Sequence, residues 1–197
     1  NPEMETAKSI ANKLMFPVAL SVENFFGQKA SFISIKVEKN SFLNGTQLKN
    51  LEFSTKDKVI ICTVRRDENV FIPTGDFTIL EGDIVYVAGS MEAVHKFYDR
   101  IEQSNLKIGS TLLIGGGTIS HYLIGKLIEN KNKVKVIEND RTRAEKLSEV
   151  YPKAIVIKGD EANQEFLVQE GINNYDATVI LTDSDEENVV ISMFVNS

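Results

Sequence analysis

The fold is decided by residues 107–140, which read KIGSTLLIGGGTISHYLIGKLIENKNKVKVIEND. An apolar segment at residues 111–114 leads into three consecutive glycines, an amphipathic pattern follows, and a second apolar segment at residues 134–137 ends in acid. A strand, a glycine turn, a helix and a second strand in this order are typical of a dinucleotide- or nucleotide-binding site. The glycines alone would be weak evidence, and their place between a strand and a helix makes the interpretation more specific.

Each position of the glycine turn has a physical reason. Gly115 permits the tight turn off the strand, and Gly117 leaves the backbone open where a pyrophosphate would approach. The third position of the fingerprint, usually glycine or alanine for close packing of helix and strand, is Ser120. The backbone amides from Thr118 to His121 open the helix, where a phosphate gains from unpaired N–H groups and from the helix dipole.

Polar side chains follow the ends of the predicted strands. Glu138 stands twenty-three residues after Gly115, where a carboxylate accepts hydrogen bonds from ribose hydroxyls and repels the 2′-phosphate of NADP. It does not separate NAD from ATP or ADP, since all three present an adenosine ribose. Asp160 and Asp183 end the next two strands at the edge where open α/β sheets bind ligands, although either could instead belong to a helix-capping turn. Arg143 either contacts phosphate or lies on a solvated helix face.

The spacing of apolar residues divides the chain into three regions. Residues 1–19 form an amphipathic helix, whose apolar stripe packs either on this chain's own core or on a second copy. Residues 20–106 alternate short strands and turns, including a possible strand at residues 77–80, and end in a helix, so we expect a small α+β domain. Residues 107–197 alternate strand and helix, which predicts a Rossmann-like parallel βαβ domain of four strands. Because such domains usually have more strands, we expect an internal fragment, incomplete at its C-terminal end.

Composition narrows the range of functions. Among 197 residues, 28 acidic and 22 basic side chains give a formal net charge of −6, so we expect no nucleic-acid partner. Cys62 is the only cysteine, which excludes an intrachain disulfide framework. There is no signal-peptide pattern and no apolar run long enough to cross a bilayer. His95 and His121 are too scattered in the sequence to predict a metal site.

The motifs resemble the RCK (KTN) domain family. The chain resembles the nucleotide-binding domain of that family at four places: GGGTIS at residues 115–120, VIEND at 136–140 with Arg143, KGD at 158–160, and LTD at 181–183 with Glu187 and Asn188. The LEGD sequence at residues 80–83, followed by a Val-Tyr-Val strand, is similar to the family's C-terminal domain. The opening NPEMETA at residues 1–7 looks like the helix that ends a preceding unit of the same family.

The resemblance implies a cytoplasmic regulatory subunit, peripheral on the inner face of the cell membrane, that gates a membrane potassium transporter. It implies a homo-oligomer, either a dimer or a tetrameric ring, that responds to NAD(H) or ATP/ADP. By the same resemblance the glycines bind diphosphate, Glu138 binds ribose and Asp160 lies beside the adenine. The implied cofactor-binding residues are Gly115, Gly117, Thr118, Ile119, Glu138, Asn139, Arg143, Asp160 and Asp183.

Two other functions stay open at this point. An NAD-dependent oxidoreductase has to place a substrate against the cofactor, and the sequence shows no proton donor and basic substrate-binding residue arranged for that purpose. We therefore expect no enzymatic activity, no catalytic residue and no metal ligand. A purely structural ring-assembly domain would use the same fold without a ligand, and titration with adenosine nucleotides would distinguish it from a sensor.

Overall fold

A computed structural model describes residues 1–25, 30–51, 59–101 and 107–195. The chain folds as two compact units: one contains Met15–Leu106, and the other combines Asn1–Leu14 with Lys107–Ser197. The predicted boundary between residues 106 and 107 touches residues 102–106, which lie outside the described ranges, and the predicted domain limits stay a prediction. None of the described helices has both the length and the apolar content that a membrane-crossing segment requires.

The unit of residues 15–106 is an antiparallel sheet with one helix packed against it. Its strands follow the order β1-β2-β5-β3-β4 across the sheet, and a register shift interrupts the pairing of β3 with β5 between Ile61 and Thr63. A short 3₁₀ helix lies at Leu48–Asn50. The regular elements are β1 (Ser21–Phe25), β2 (Ala30–Lys36), β3 (Val59–Arg66), β4 (Asn69–Phe71), β5 (Ile84–Gly89) and α2 (Met91–Ile101).

The predicted strand at residues 77–80 is wrong, and one strand is missing from the sequence prediction. Residues 77–80 form only an isolated bridge, between Thr78 and Gln47. Turns flank this segment on both sides, closed by hydrogen bonds from the Phe77 amide to the Thr74 carbonyl and from the Asp83 amide to the Leu80 carbonyl. Strand β1 has the sequence SVENF, which has too few apolar residues to predict a strand by itself, and it forms by pairing with β2.

A buried ion pair fixes the turn before β5. Asp83 is fully buried and accepts hydrogen bonds from Arg66 Nε at 2.7 Å, from Arg66 Nη2 at 2.8 Å and from the Leu80 amide at 2.9 Å. Burial alone would raise the pKa of Asp83, but the hydrogen bonds and the charge of Arg66 outweigh it and lower the pKa. Asp83 is therefore a structural carboxylate of the turn.

The second unit is a parallel sheet between helices. The strand order is β8-β7-β6-β9, and every pairing is parallel, which confirms the predicted Rossmann-like βαβ fold and the α/β class. A short 3₁₀ helix lies at Ile172–Asn174. The elements are α1 (Pro2–Met15), β6 (Ser110–Ile114), α3 (Thr118–Glu129), β7 (Lys133–Glu138), α4 (Arg141–Val150), β8 (Ile155–Lys158), α5 (Gln164–Gln169), β9 (Ala177–Ile180) and α6 (Asp185–Val195).

The N-terminal helix packs on the parallel-sheet unit. Ala7 and Ala11 of α1 are buried in the same apolar cluster as Leu123 and Leu127 of α3. Asn1 caps the start of the helix, because its side-chain oxygen accepts a hydrogen bond from the Glu3 amide at 3.0 Å. Ile10 and Leu14 of the same apolar stripe are partly buried against this cluster, so α1 packs part of its stripe on this chain itself.

Candidate nucleotide-binding site

The glycine turn between β6 and α3 needs glycine at its first position. Gly115 has a φ of 100°, and a Cβ there would lie 2.2 Å from the carbonyl oxygen of Leu181. Its amide donates to the carbonyl oxygen of Ile137 at 2.9 Å. No other residue type combines this left-handed backbone with this close approach, so the strand can leave the sheet here only at a glycine.

The second glycine holds an acidic side chain, a role that the sequence did not reveal. The amide of Gly116 donates to Glu138 Oε2 at 2.6 Å, and a Cβ on Gly116 would lie 2.6 Å from the same oxygen. The approach of the Glu138 carboxylate to the turn therefore depends on the missing side chain. The sequence did not reveal this contact, because three adjacent glycines look alike and nothing marks the middle one as the partner of Glu138.

The third glycine faces open space at the start of α3. Gly117 is the residue before the first helical turn, and among the described residues no side chain caps the helix. A Cβ on Gly117 would find a single neighbour within 4 Å, Asp183 Oδ1 at 3.9 Å. The first amides of a helix have no partner within the helix, and here they are the amides that follow Gly117, beginning with Thr118 and Ile119. The phosphate contact that the sequence predicts for them stays a prediction.

Ser120 explains how the turn tolerates the absence of a third fingerprint glycine. The residue is fully buried, and its hydroxyl donates to the carbonyl oxygen of Gly115 at 2.5 Å. Serine is small enough for close packing of α3 on the sheet, and its hydroxyl ties the helix to the turn. The substitution therefore preserves the geometry of the glycine turn.

Glu138 ends β7 as predicted, but its carboxylate is turned onto the protein. The side chain is fully buried and accepts hydrogen bonds from the amides of Gly116 at 2.6 Å and Asp140 at 2.7 Å. Arg143 Nη2 donates to it at 2.9 Å. An ionised carboxylate has about four acceptor positions, so most of its capacity is used within the chain. The ribose contact predicted for Glu138 stays a prediction.

Arg143 joins the ends of two strands across the site. Its Nη1 donates to Asp183 Oδ2 at 2.8 Å after β9, and its Nη2 reaches both Glu138 and, at 3.4 Å, the Asn139 side-chain oxygen. The hydrogen bond to Asp183, and then that to Glu138, raise the pKa of the guanidinium against the effect of burial. Arg143, Asn139, Glu138 and Asp183 are thus brought together, whereas the sequence left Arg143 between a phosphate contact and a solvated face.

Glu161 belongs to the same cluster and was not predicted. The side chain is buried, with 3% of the residue exposed, and Oε1 accepts a hydrogen bond from the Asn139 amide at 3.1 Å. Burial and then the charge of Glu138 raise the pKa of Glu161 to about 7, while the Asn139 amide and Arg143 oppose this rise and Asp183 adds to it. The signal in the sequence was its place directly after Asp160 at the carboxyl edge.

Asp160 and the loop after β9 occupy the same edge of the sheet. Asp160 is exposed and its Oδ1 accepts a hydrogen bond from the Ala162 amide at 3.0 Å, while the cap of α5 is Asn163. The side chain of Asp183 is 72% exposed. Within the described ranges, no group of three or more His, Cys, Asp or Glu side chains is arranged to hold a metal ion.

The parallel sheet and the glycine turn define a Rossmann-like domain, and an antiparallel domain precedes it in the chain. Comparison with family models gives the particular family: residues 32–102 match the TrkA-C domain and residues 111–197 match the TrkA-N domain. The chain therefore belongs to the family of proteins built from TrkA-C and TrkA-N domains. This finding confirms the resemblance to RCK domains that the sequence motifs carry.

Curated relatives align with nearly all of this chain. It is 30% identical over 197 residues to a protein of Methanosarcina mazei named Trk system potassium uptake protein trkA homolog 1, covering 98% of this chain and 47% of the relative. It is 34% identical to the Trk system potassium uptake protein TrkA of Vibrio alginolyticus, covering 98% of this chain and 42% of that protein. The chain thus spans less than half the length of these relatives.

Two solved structures share the fold. The crystal structure of the GsuK RCK domain superposes with a TM-score of 0.52 at 14% identity, covering 95% of this chain and 40% of that one. A structure described as the GsuK channel bound to NAD gives a TM-score of 0.53 at 14% identity, covering 95% of this chain and 34% of the other. At this identity the similarity establishes the fold alone.

Proposed function

We propose that this chain is the nucleotide-sensing part of a regulatory subunit of a Trk-type potassium uptake system. The observation that carries the proposal is the glycine turn, where Gly117 opens the uncapped N-terminus of α3 at the carboxyl edge of a parallel sheet. A helix N-terminus of this kind favours a diphosphate. The names of the curated relatives support the connection with potassium uptake.

The ligand that fits this edge best is an adenosine nucleotide. The diphosphate would bind the amides after Gly117, the ribose would approach Glu138, and the adenine would lie beside the loop that carries Asp160. For the ribose to reach Glu138, Arg143 must release part of its contact, and its guanidinium is then free to bind the diphosphate. NAD(H) is the leading candidate, because a structure with this fold is described as bound to NAD; ATP and ADP share the adenosine and the phosphates.

The proposed role is regulatory rather than catalytic. The side chains at the site form ion pairs and hydrogen bonds to the backbone, and the groups that the site offers a ligand are mainly backbone amides. We place the protein in the cytoplasm on the inner face of the membrane, as a dimer or tetrameric ring that docks on a membrane potassium transporter. Nucleotide binding would change the shape of the assembly and gate the pore.

Calorimetric titration of NAD, NADH, ATP and ADP into the purified chain tests the proposal, with Gly117→Ala as the key variant. A methyl group at this position meets no atom closer than 3.9 Å in the protein, so the variant should fold normally. It would occupy the space of the diphosphate, and overpacking of about 1–3 kcal/mol corresponds to a roughly 5- to 150-fold weaker Kd.

Gly125→Ala is the matched control, because it is a glycine-to-alanine change in the same helix. Its Cβ would meet the Tyr151 ring at 3.6 Å, an ordinary contact away from the glycine turn. We expect its Kd to equal that of the unmodified chain. Absence of binding by all four nucleotides at millimolar concentration would refute the sensing role and favour ring assembly, and an unchanged Kd in Gly117→Ala would place the ligand elsewhere.

A further inference from the structure

Two buried carboxylates lie at the carboxyl edge of the parallel sheet, near the guanidinium of Arg143. Glu138 is fully buried and Glu161 is 3% exposed. Glu138 has a charged partner in Arg143 at 2.9 Å and two backbone amides. The hydrogen bond described for Glu161 comes from a neutral donor, the Asn139 amide, at 3.1 Å. Glu161 is thus the less well compensated of the two carboxylates.

The charges that act on Glu161 come from three elements. Glu138 at the end of β7 and Asp183 after β9 are negative, and Arg143 on α4 is positive; Asp160 adds a fourth carboxylate on the same loop as Glu161. Arg143 already divides its guanidinium between Glu138 and Asp183. An additional negative charge at this edge is therefore repelled by the four carboxylates, which Arg143 compensates only in part.

We propose that Glu161 takes up a proton from solvent when an adenosine nucleotide binds at the glycine turn, so that nucleotide affinity falls as the pH rises. The inference rests on the proposed function, since it requires a nucleotide at this site. A diphosphate brings negative charge to the edge and draws Arg143 away from the carboxylates. Both effects favour the protonated form of Glu161, and by linkage the protonated protein binds the nucleotide more tightly.

The size of the effect follows from the raised pKa of Glu161 in the protein without a ligand. The pKa of Glu161 is raised to about 7, so this carboxyl is mostly neutral at pH 6 and mostly ionised at pH 8. If it is neutral in the complex, the Kd at pH 8 is about tenfold that at pH 6, and close to one proton is taken up per nucleotide at pH 8. NAD is the suitable probe, because its diester phosphates carry no second proton that titrates near neutrality, unlike those of ADP.

Calorimetry of NAD binding at pH 6 and pH 8, in buffers of different ionisation enthalpy, measures both the Kd and the number of protons. Glu161→Gln keeps an oxygen that can accept from the Asn139 amide but does not titrate, so its Kd should be the same at both pH values and match the pH 6 value of the unmodified chain. Glu165→Gln, an exposed position of α5, is the control and should retain the tenfold change.

The outcomes separate the inference from the function on which it rests. NAD binding with equal Kd at both pH values and no proton uptake would overturn the role of Glu161 and leave the nucleotide sensor intact. A tenfold change that persists in Glu161→Gln would assign the proton to another group and would also overturn it. No binding at either pH would overturn the proposed function, and the inference with it.

Discussion

Replacement of Glu138 by alanine should destabilise the parallel-sheet unit by about 3–5 kcal/mol, because this side chain is fully buried and its hydrogen bonds are made to a carboxylate. The carboxylate accepts three hydrogen bonds, from the amides of Gly116 and Asp140 and from Arg143. The Gly116 amide is buried and loses its acceptor, which by itself costs about 1–3 kcal/mol. Arg143 retains Asp183 at 2.8 Å, which keeps the loss near the lower end of the range.

Native-state hydrogen exchange is the suitable assay, because the two compact units can unfold separately and a single global transition cannot be assumed. Slowly exchanging amides of β6 and β7 should exchange roughly 150- to 5,000-fold faster in Glu138→Ala, the equivalent of about 3–5 kcal/mol. Glu145→Ala is the control: it removes an exposed ion pair with Arg141, and the exchange rates should stay close to those of the unmodified chain because exposed ion pairs contribute little. A loss below about 1 kcal/mol in Glu138→Ala would show that the carboxylate does not anchor the turn.

Three further changes test other parts of the structure. Gly115→Ala should cost more than about 3 kcal/mol by the same assay, because it combines a left-handed backbone with a backbone clash, and a stable, well-folded variant would refute the turn geometry. The lowered pKa of Asp83 contributes stability that is present above the pKa of the unfolded chain and is lost as the pH falls through the folded value. In thermal melts between about pH 5 and pH 2.5, the unmodified chain should therefore lose more stability than Asp83→Asn does. The pKa of Glu161 is raised from 4.5 to about 7, so its ionisation costs stability as the pH rises through this interval. Glu161→Gln should therefore raise the free energy of unfolding at pH 8 by roughly 1–3 kcal/mol, which is measured as a higher melting temperature. At pH 5 the melting temperature should change little.

Local chemistry accounts for the parts of the site that the sequence predicted. The requirement for glycine at residue 115 follows from the short connection between strand and helix, and the structure shows its positive φ. The position of Glu138 at the end of β7 follows from the length of a βαβ unit. The parallel sheet follows from the alternation of buried strands with amphipathic helices. All three depend on residues close together in the sequence.

Contacts between distant segments account for what the sequence did not show. Gly116 touches Glu138 across two neighbouring strands, and Glu161 reaches the Asn139 amide from the next loop. The direction of the Glu138 side chain depends on Arg143, one turn into α4. Strand β1 forms because β2 offers it an edge, and residues 77–80 are limited to a single bridge because turns flank them on both sides. Periodicity and propensity carry no information about such pairings.

The amide resonances of residues 116–120 provide the most direct test of the claim that the glycine turn binds a diphosphate. In a ¹⁵N NMR titration of the full chain with NAD, we expect saturable shifts at the amides of residues 116–120, which would face the diphosphate. We also expect them at the amides of Asn139 and Glu161, which would border the ribose and the adenine. The amides of β2 and β5 serve as an internal control and should not move. Saturable binding that shifts only resonances of residues 21–101, or no shift at millimolar NAD and ADP, would contradict the account.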